Sequence, residues 1–141
     1  MKLLALTSEP IDARQLRDAL GSQAVDDNPE VLVIAPALQE SGLRFWTADA
    51  DEAIERAQSV WRRSVGELSD EGVAARGDTG ESDPLQAIQD ALQTFPAERI
   101  IIFRHSGEDL RYREDFDLDE ARDSFGLPVE EVRVSAEVSA D

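Results

Sequence analysis

Five consecutive residues, Val31-Leu32-Val33-Ile34-Ala35, are all apolar. Strands of a parallel sheet that is covered on both faces have this character, whereas strands with one solvated face alternate apolar and polar residues. The run Arg99-Ile100-Ile101-Ile102-Phe103 is similar. These two segments predict parallel strands of a sheet that carries helices on both faces.

Segments with helical spacing of apolar residues separate the strand-like runs. We predict strands over 2–7, 31–35, 73–76, 99–103 and 129–134, and helices from Ser8-Glu9-Pro10 to Leu20 and over 49–71, 84–95 and 117–125. Residues 77–83 are predicted to form a turn. A regular alternation of strand and helix is typical of right-handed crossovers and a parallel sheet, which places the chain in the α/β class.

The length of 141 residues suits a single domain, which we place at 1–135 with 136–141 as a C-terminal tail. The absence of cysteine excludes disulfides and cysteine-ligated zinc. We see no secretory signal and no apolar run near the roughly 20 residues that a membrane-spanning helix needs. A cytoplasmic protein is therefore expected.

The formal net charge is −17. Such a charge repels nucleic acids and anionic membrane surfaces unless the few cations cluster. We therefore expect neither nucleic acid nor membrane among the partners. The simplest role of the acidic surface is to keep the protein in solution.

Four segments resemble the universal stress protein family. They are Val31–Ala37, the turn Gly77-Asp78 leading to Asp83-Pro84-Leu85, the stretch Thr94–Ile102, and the ending Phe125-Gly126-Leu127-Pro128-Val129. The resemblance covers about residues 1–135 and implies a three-layer sandwich with a five-stranded parallel sheet in the order 3-2-1-4-5. This is the adenine nucleotide alpha hydrolase-like, or flavodoxin-like, arrangement. The resemblance also implies a homodimer that pairs through the last strand.

The nucleotide-binding members of that family carry a glycine-rich motif after the fourth strand, where backbone N–H groups approach phosphate. Here Gly107 is the one glycine of that segment, and Leu110 stands where the second glycine belongs. The same segment holds four carboxylates, at positions 108, 109, 114 and 115. Thr7-Ser8-Glu9 replaces the aspartate that the family has after its first strand. We therefore expect no cofactor, with ATP or another adenine nucleotide as the alternative.

A ligand of an open α/β sheet binds beyond the carboxyl ends of the strands, where the strand order reverses. In the order 3-2-1-4-5 this point lies between the first and fourth strands. The candidate ligand-binding residues there are Thr7, Ser8, Arg104, His105, Ser106, Gly107 and Arg111. Arginines can hold phosphate through bidentate hydrogen bonds when the backbone cannot.

No set of residues identifies a catalytic or metal site. Asp78-Thr79-Gly80 has the tripeptide of aspartic proteases, but those enzymes need two copies, and we interpret it as a turn. Asp115, Asp117 and Asp119 alternate as in a calcium loop, but Glu120 and Gly126 stand at positions that require glycine and glutamate. We interpret these aspartates as helix capping and a solvated face.

Three functional hypotheses follow from the sequence. The first is a non-enzymatic stress-response or regulatory module that works as a homodimer or with a protein partner. The second is a protein that binds a nucleotide or small ligand in a remodelled cleft at the ends of the first and fourth strands. The third is a hydrolase that uses His105, the sole histidine, as its acid or base.

Overall fold

The computed structural model describes residues 2–20, 29–37, 50–81, 84–105 and 118–134. Strands and helices alternate along these segments, as the sequence predicts. Their bounds are β1 Lys2–Thr7, α1 Ala13–Leu20, β2 Glu30–Pro36, α2 Ala50–Asp70, β3 Ala74–Gly80, α3 Pro84–Thr94, β4 Arg99–His105, α4 Leu118–Phe125 and β5 Val129–Val134.

The five strands form one parallel sheet in the order β3-β2-β1-β4-β5. The prediction of an α/β fold with this strand order is confirmed. In the register of the sheet, Leu6 of β1 pairs with Ile34 of β2, and Thr7 pairs with Phe103 of β4. β1 therefore lies at the centre, between the two apolar runs from which the fold was predicted.

Each face of the sheet has its own apolar core. Leu3, Ala5 and Phe103 face the helices α1 and α2, where they pack with residues such as Leu16 and Leu68. The alternate residues of the same strands face α3 and α4. That second core contains Leu4, Leu6, Ile34, Ile88, Phe95, Ile100, Ile102 and Ala121. The chain crosses the sheet in one direction from β1 to β3 and in the other from β3 to β5, so right-handed crossovers place the helix pairs on opposite faces.

β3 is longer than predicted. Residues 77–80, which we expected in a turn, continue the strand and pair with β2 as far as Pro36. A Cβ atom on Gly77 would lie 2.5 Å from the ring of Trp61, so this glycine lets α2 pack directly on the strand. Trp61 Nε1 also donates a hydrogen bond of 3.0 Å to Thr79 Oγ1. Packing against Trp61 thus outweighs the turn preference of the glycines. Trp61 itself is partly buried and packs against the core on this face of the sheet.

α1 begins at Ala13, later than the Ser8-Glu9-Pro10 start predicted from sequence. Asp12 is the N-cap: its Oδ1 accepts a hydrogen bond from the backbone N–H of Gln15 at 2.9 Å. The side chain of Gln15 accepts one in return from the backbone N–H of Asp12 at 3.0 Å. This reciprocal pair is a capping box, which satisfies two N–H groups that the first helical turn leaves without partners.

Candidate functional site

The edge formed by the carboxyl ends of β1 and β4 is the site that the sequence predicts. Thr7 ends β1 beside Phe103, and β4 continues for two more residues, Arg104 and His105, whose backbone pairs with Arg133 and Val134 of β5. The structure therefore brings together Thr7, Ser8 and the backbone of Arg104 and His105 at one edge. The other predicted site residues, Ser106, Gly107 and Arg111, lie outside the described residues.

The hydroxyl of Thr7 is already engaged. Thr7 is fully buried, and its Oγ1 donates a 2.6 Å hydrogen bond to the carbonyl of Glu9. The same oxygen accepts a 3.3 Å hydrogen bond from the backbone N–H of Glu9. These bonds hold the chain in a tight turn as it leaves β1. A ligand at this edge could accept a hydrogen bond from the Thr7 hydroxyl only if the bond to the Glu9 carbonyl were broken.

A second buried hydroxyl, that of Ser64, holds the segment that connects β1 to α1. Ser64, in the middle of α2, is fully buried. Its Oγ donates to the carbonyl of Val60 at 2.9 Å and accepts a 3.0 Å hydrogen bond from the backbone N–H of Ile11. Because buried polar groups are costly without partners, Ser64 fixes the path between β1 and α1. Both buried polar side chains therefore have structural roles near the predicted site.

A cleft opens elsewhere, at the carboxyl ends of β2 and β3. Its volume is about 390 Å³, within the usual range for small-ligand sites. Four elements contribute to it: the ends of the two strands, the first turns of α2, and α3. The lining residues are Ile34, Ala37, Ala53, Ile54, Asp78, Thr79, Gly80, Glu81, Ala87, Asp90 and Ala91.

Small residues shape this cleft. A Cβ atom on Gly80 would lie 2.8 Å from both Ala87 Cβ and Ile34 Cγ2, so the glycine allows α3 to approach the end of the strand. The carbonyl of Gly80 accepts a 3.0 Å hydrogen bond from the backbone N–H of Ala37, which ties the ends of β2 and β3 together. Alanines on both helices leave the space above this joint open.

The cleft has an apolar interior and an acidic rim. Ala53, Ala87 and Ala91 are buried, whereas Asp78, Glu81 and Asp90 are exposed. Asp78 Oδ1 accepts a 2.8 Å hydrogen bond from the backbone N–H of Thr79. Asp90 Oδ1 accepts one of 2.9 Å from Gln86 Nε2. No lysine or arginine is among the described lining residues, so the site attracts cations and repels phosphate.

Ile54 lies on the wall of this cleft with 41% of its surface exposed. It is the one exposed large apolar side chain among the residues whose burial the structure describes. Within those same residues, no three histidine, aspartate or glutamate side chains are grouped so that they could hold a metal ion. The described rim carboxylates therefore do not form a metal site of three ligands.

These features describe an open α/β protein with buried, internally bonded hydroxyls near the β1–β4 edge and a cleft at the β2–β3 edge. No protein-family model matches the chain, and no curated protein matches it. Within the described segments, no helix is long and apolar enough to cross a membrane.

Sequence reasoning missed the cleft because four separate elements build it, and five of its eleven lining residues are alanine or glycine. The pairs Ala53/Ala57 and Ala87/Ala91, each spaced by four residues, were the available signal, since small residues at this spacing mark one face of a helix. Such pairs usually indicate close packing. The cleft beside these two helices is seen only once β3 is known to extend to Gly80 and the four elements are placed together.

Proposed function

We propose that this protein is a non-enzymatic regulatory module of the universal stress protein type, with weak or absent ATP binding. It acts as a homodimer or through a protein partner. The observation that carries the proposal is the combination of the strand order 3-2-1-4-5 with a β1–β4 edge whose buried hydroxyl, Thr7 Oγ1, is bonded within the chain.

The sequence that follows β4 supports weak nucleotide binding. Phosphate is held by backbone N–H groups that glycines allow to come close, or by positive charge. Residues 106–116 contain one glycine, Gly107, and four carboxylates. Arg111 and Arg113 are interleaved with these carboxylates and are expected to pair with them. Repulsion between the carboxylates and a triphosphate then opposes binding.

The edge strand β5 supports action through a protein contact. β5 pairs with β4 on one side, and edge strands present backbone groups with which another chain can pair. Val132 on this strand is only partly buried. Arg122 Nε donates a 3.1 Å hydrogen bond to the carbonyl of Val129, which steadies the start of the strand. Light scattering should give about twice the 15.6 kDa mass of one chain if β5 pairs with a second copy.

Calorimetric titration with ATP and magnesium, and with ADP and AMP, tests the nucleotide part of the proposal. We expect that none of these nucleotides binds more tightly than with a millimolar dissociation constant. Circular dichroism first verifies that the protein used is folded. Micromolar binding, or turnover of ATP, would contradict it. If light scattering showed a monomer and the protein also captured no partner protein, the proposal of a regulatory module would be contradicted.

A second candidate function is the binding of a different small ligand at the β1–β4 edge. The register of the sheet favours it, since Ser8 and the backbone of Arg104 and His105 lie at the same edge. The double variant Arg104→Ala/His105→Ala should then weaken the ligand at least tenfold. The control is Arg62→Ala/Arg63→Ala, which removes two exposed cations from α2. If the site variant and the control variant bound the ligand with equal affinity, the β1–β4 edge would be excluded as its site.

A further inference from the structure

We infer that the cleft between the carboxyl ends of β2 and β3 binds an aliphatic polyamine, a chain of ammonium groups joined by methylenes. This cleft is separated from the β1–β4 edge, so the inference does not depend on the proposed regulatory function. Its basis is the match between the cleft's lining and the two chemical parts of such a ligand.

The methylene segments match the interior of the cleft. Its floor is made by Ile34, Ala87 and Ala91, and its wall by Ala53 and Ile54. Ile54 is 41% exposed, so apolar surface that a ligand could cover is present before binding. A cleft of about 390 Å³ is large enough to hold a chain of about ten heavy atoms.

The ammonium groups match the rim. Asp78, Glu81 and Asp90 are exposed, and no lysine or arginine stands among the described residues around them. Asp78 Oδ1 accepts a hydrogen bond from Thr79 N and Asp90 Oδ1 accepts one from Gln86 Nε2, and both donors are uncharged. Their negative charge is therefore not neutralised by these contacts. Charge-assisted hydrogen bonds to ammonium are stronger than those to neutral donors.

The rim favours a polyamine over a metal ion. A divalent ion needs oxygen ligands that converge at about 2.0–2.6 Å. No group of three acidic or histidine side chains among the described residues meets that need. A polyamine needs no converging ligands, because each ammonium group can contact a single carboxylate while the methylenes cover apolar surface.

Calorimetric titration with spermidine in 150 mM salt tests the inference, because salt at this level screens unspecific attraction to an acidic surface. We expect one binding site per chain in the native protein. The double variant Asp78→Asn/Asp90→Asn should weaken binding about tenfold or more, since it removes two charge-assisted contacts. Ile54→Ser should weaken the binding of spermidine without changing the net charge of the protein.

The matched control is Glu67→Gln/Asp70→Asn, which removes two exposed carboxylates from the last turn of α2. Its formal charge rises from −17 to −15, the same change as in the rim variant. Binding within twofold of the native value in this control, together with loss in the rim variant, supports the site. Equal loss in both variants, several weak sites per chain, or no binding by the native protein would overturn it.

Discussion

The two edges formed by strand ends differ in what their side chains bond to. At the β1–β4 edge the polar groups of Thr7 and Ser64 are buried and bonded within the chain. At the β2–β3 edge the apolar surface of Ile54 and the carboxylates of Asp78 and Asp90 face solvent. The reversal of strand order identifies the β1–β4 edge as the expected site, while the structure has a cleft at the β2–β3 edge.

The difference teaches that topology alone does not determine where an open α/β sheet has room for a ligand. Space depends on which side chains close the ends of the strands. Thr7 and Phe103 are buried beneath the β1–β4 edge, whereas Gly80 and the alanines of α2 and α3 line a cleft at the β2–β3 end. The following predictions test this contrast.

The largest effect is expected in the core beneath the β1–β4 edge. Phe103→Ala should lower the free energy of unfolding by about 3–5 kcal/mol, because this fully buried ring would leave a cavity. Ile54→Ala in the cleft should cost less than about 0.5 kcal/mol, as exposed substitutions do. Urea denaturation followed by circular dichroism measures both. Similar losses of unfolding free energy in the two variants would show that the two edges are equally packed. Phe103→Leu replaces Phe103→Ala if the alanine variant does not fold.

Gly77→Ala should destabilise the protein by about 1–3 kcal/mol, because its methyl group would clash with Trp61. Gly66→Ala is the control. Gly66 lies on the exposed side of α2, where an added Cβ has nothing within 4 Å, so alanine should stabilise the helix by about 0.5–1 kcal/mol. Opposite signs in urea denaturation would support the close approach of α2 to β3. Two stabilising substitutions would contradict it.

Thr7→Val should lower the free energy of unfolding by about 1–3 kcal/mol, since it keeps the side-chain shape but leaves the polar groups of Glu9 without their partner. Thr79→Val is a useful comparison, because Thr79 Oγ1 accepts the Trp61 hydrogen bond on a partly buried strand. Its cost should be nearer 0.5–1.5 kcal/mol, about one net hydrogen bond. A harmless Thr7→Val would mean that the Thr7 hydroxyl is free for a ligand.

The smallest effect is expected at the ion pair between Arg17 and Glu71, which are 3.5 Å apart with side chains 45% and 56% exposed. Arg17→Ala should change the free energy of unfolding by less than about 1 kcal/mol, because exposed pairs are screened by solvent. Thermal denaturation at low and high salt measures it. A larger, salt-dependent loss would mean that this contact between α1 and the end of α2 fixes the packing of the helices.

The sequence predicted the sheet because its central strands are encoded locally. Val31–Ala35 and Ile100–Phe103 are apolar at every position, and only a sheet covered on both faces buries such runs. β3 was predicted too short because Gly77-Asp78-Thr79-Gly80 are turn formers that extend here under Trp61. That contact joins residues 16 to 18 positions apart, and local preference does not reveal it.

The candidate site was less predictable than the fold. The edge at β1 and β4 follows from strand order, and the structure brings Thr7 and Ser8 to the end of β4 as expected. The hydrogen bonds of the Thr7 hydroxyl to Glu9 depend on the path of one turn, which composition does not encode. The cleft depends on small residues in four elements and became visible only with the register of β3.

Amide chemical shifts in a labelled sample, titrated with spermidine, test most directly whether the accessible site lies at the β2–β3 edge. We expect the shifts of Asp78, Glu81, Ala53, Ala87 and Asp90 to move with one common affinity, while Thr7 and Phe103 stay unchanged. Movement at Thr7 and Phe103, or small shifts spread evenly over the acidic surface, would contradict that assignment.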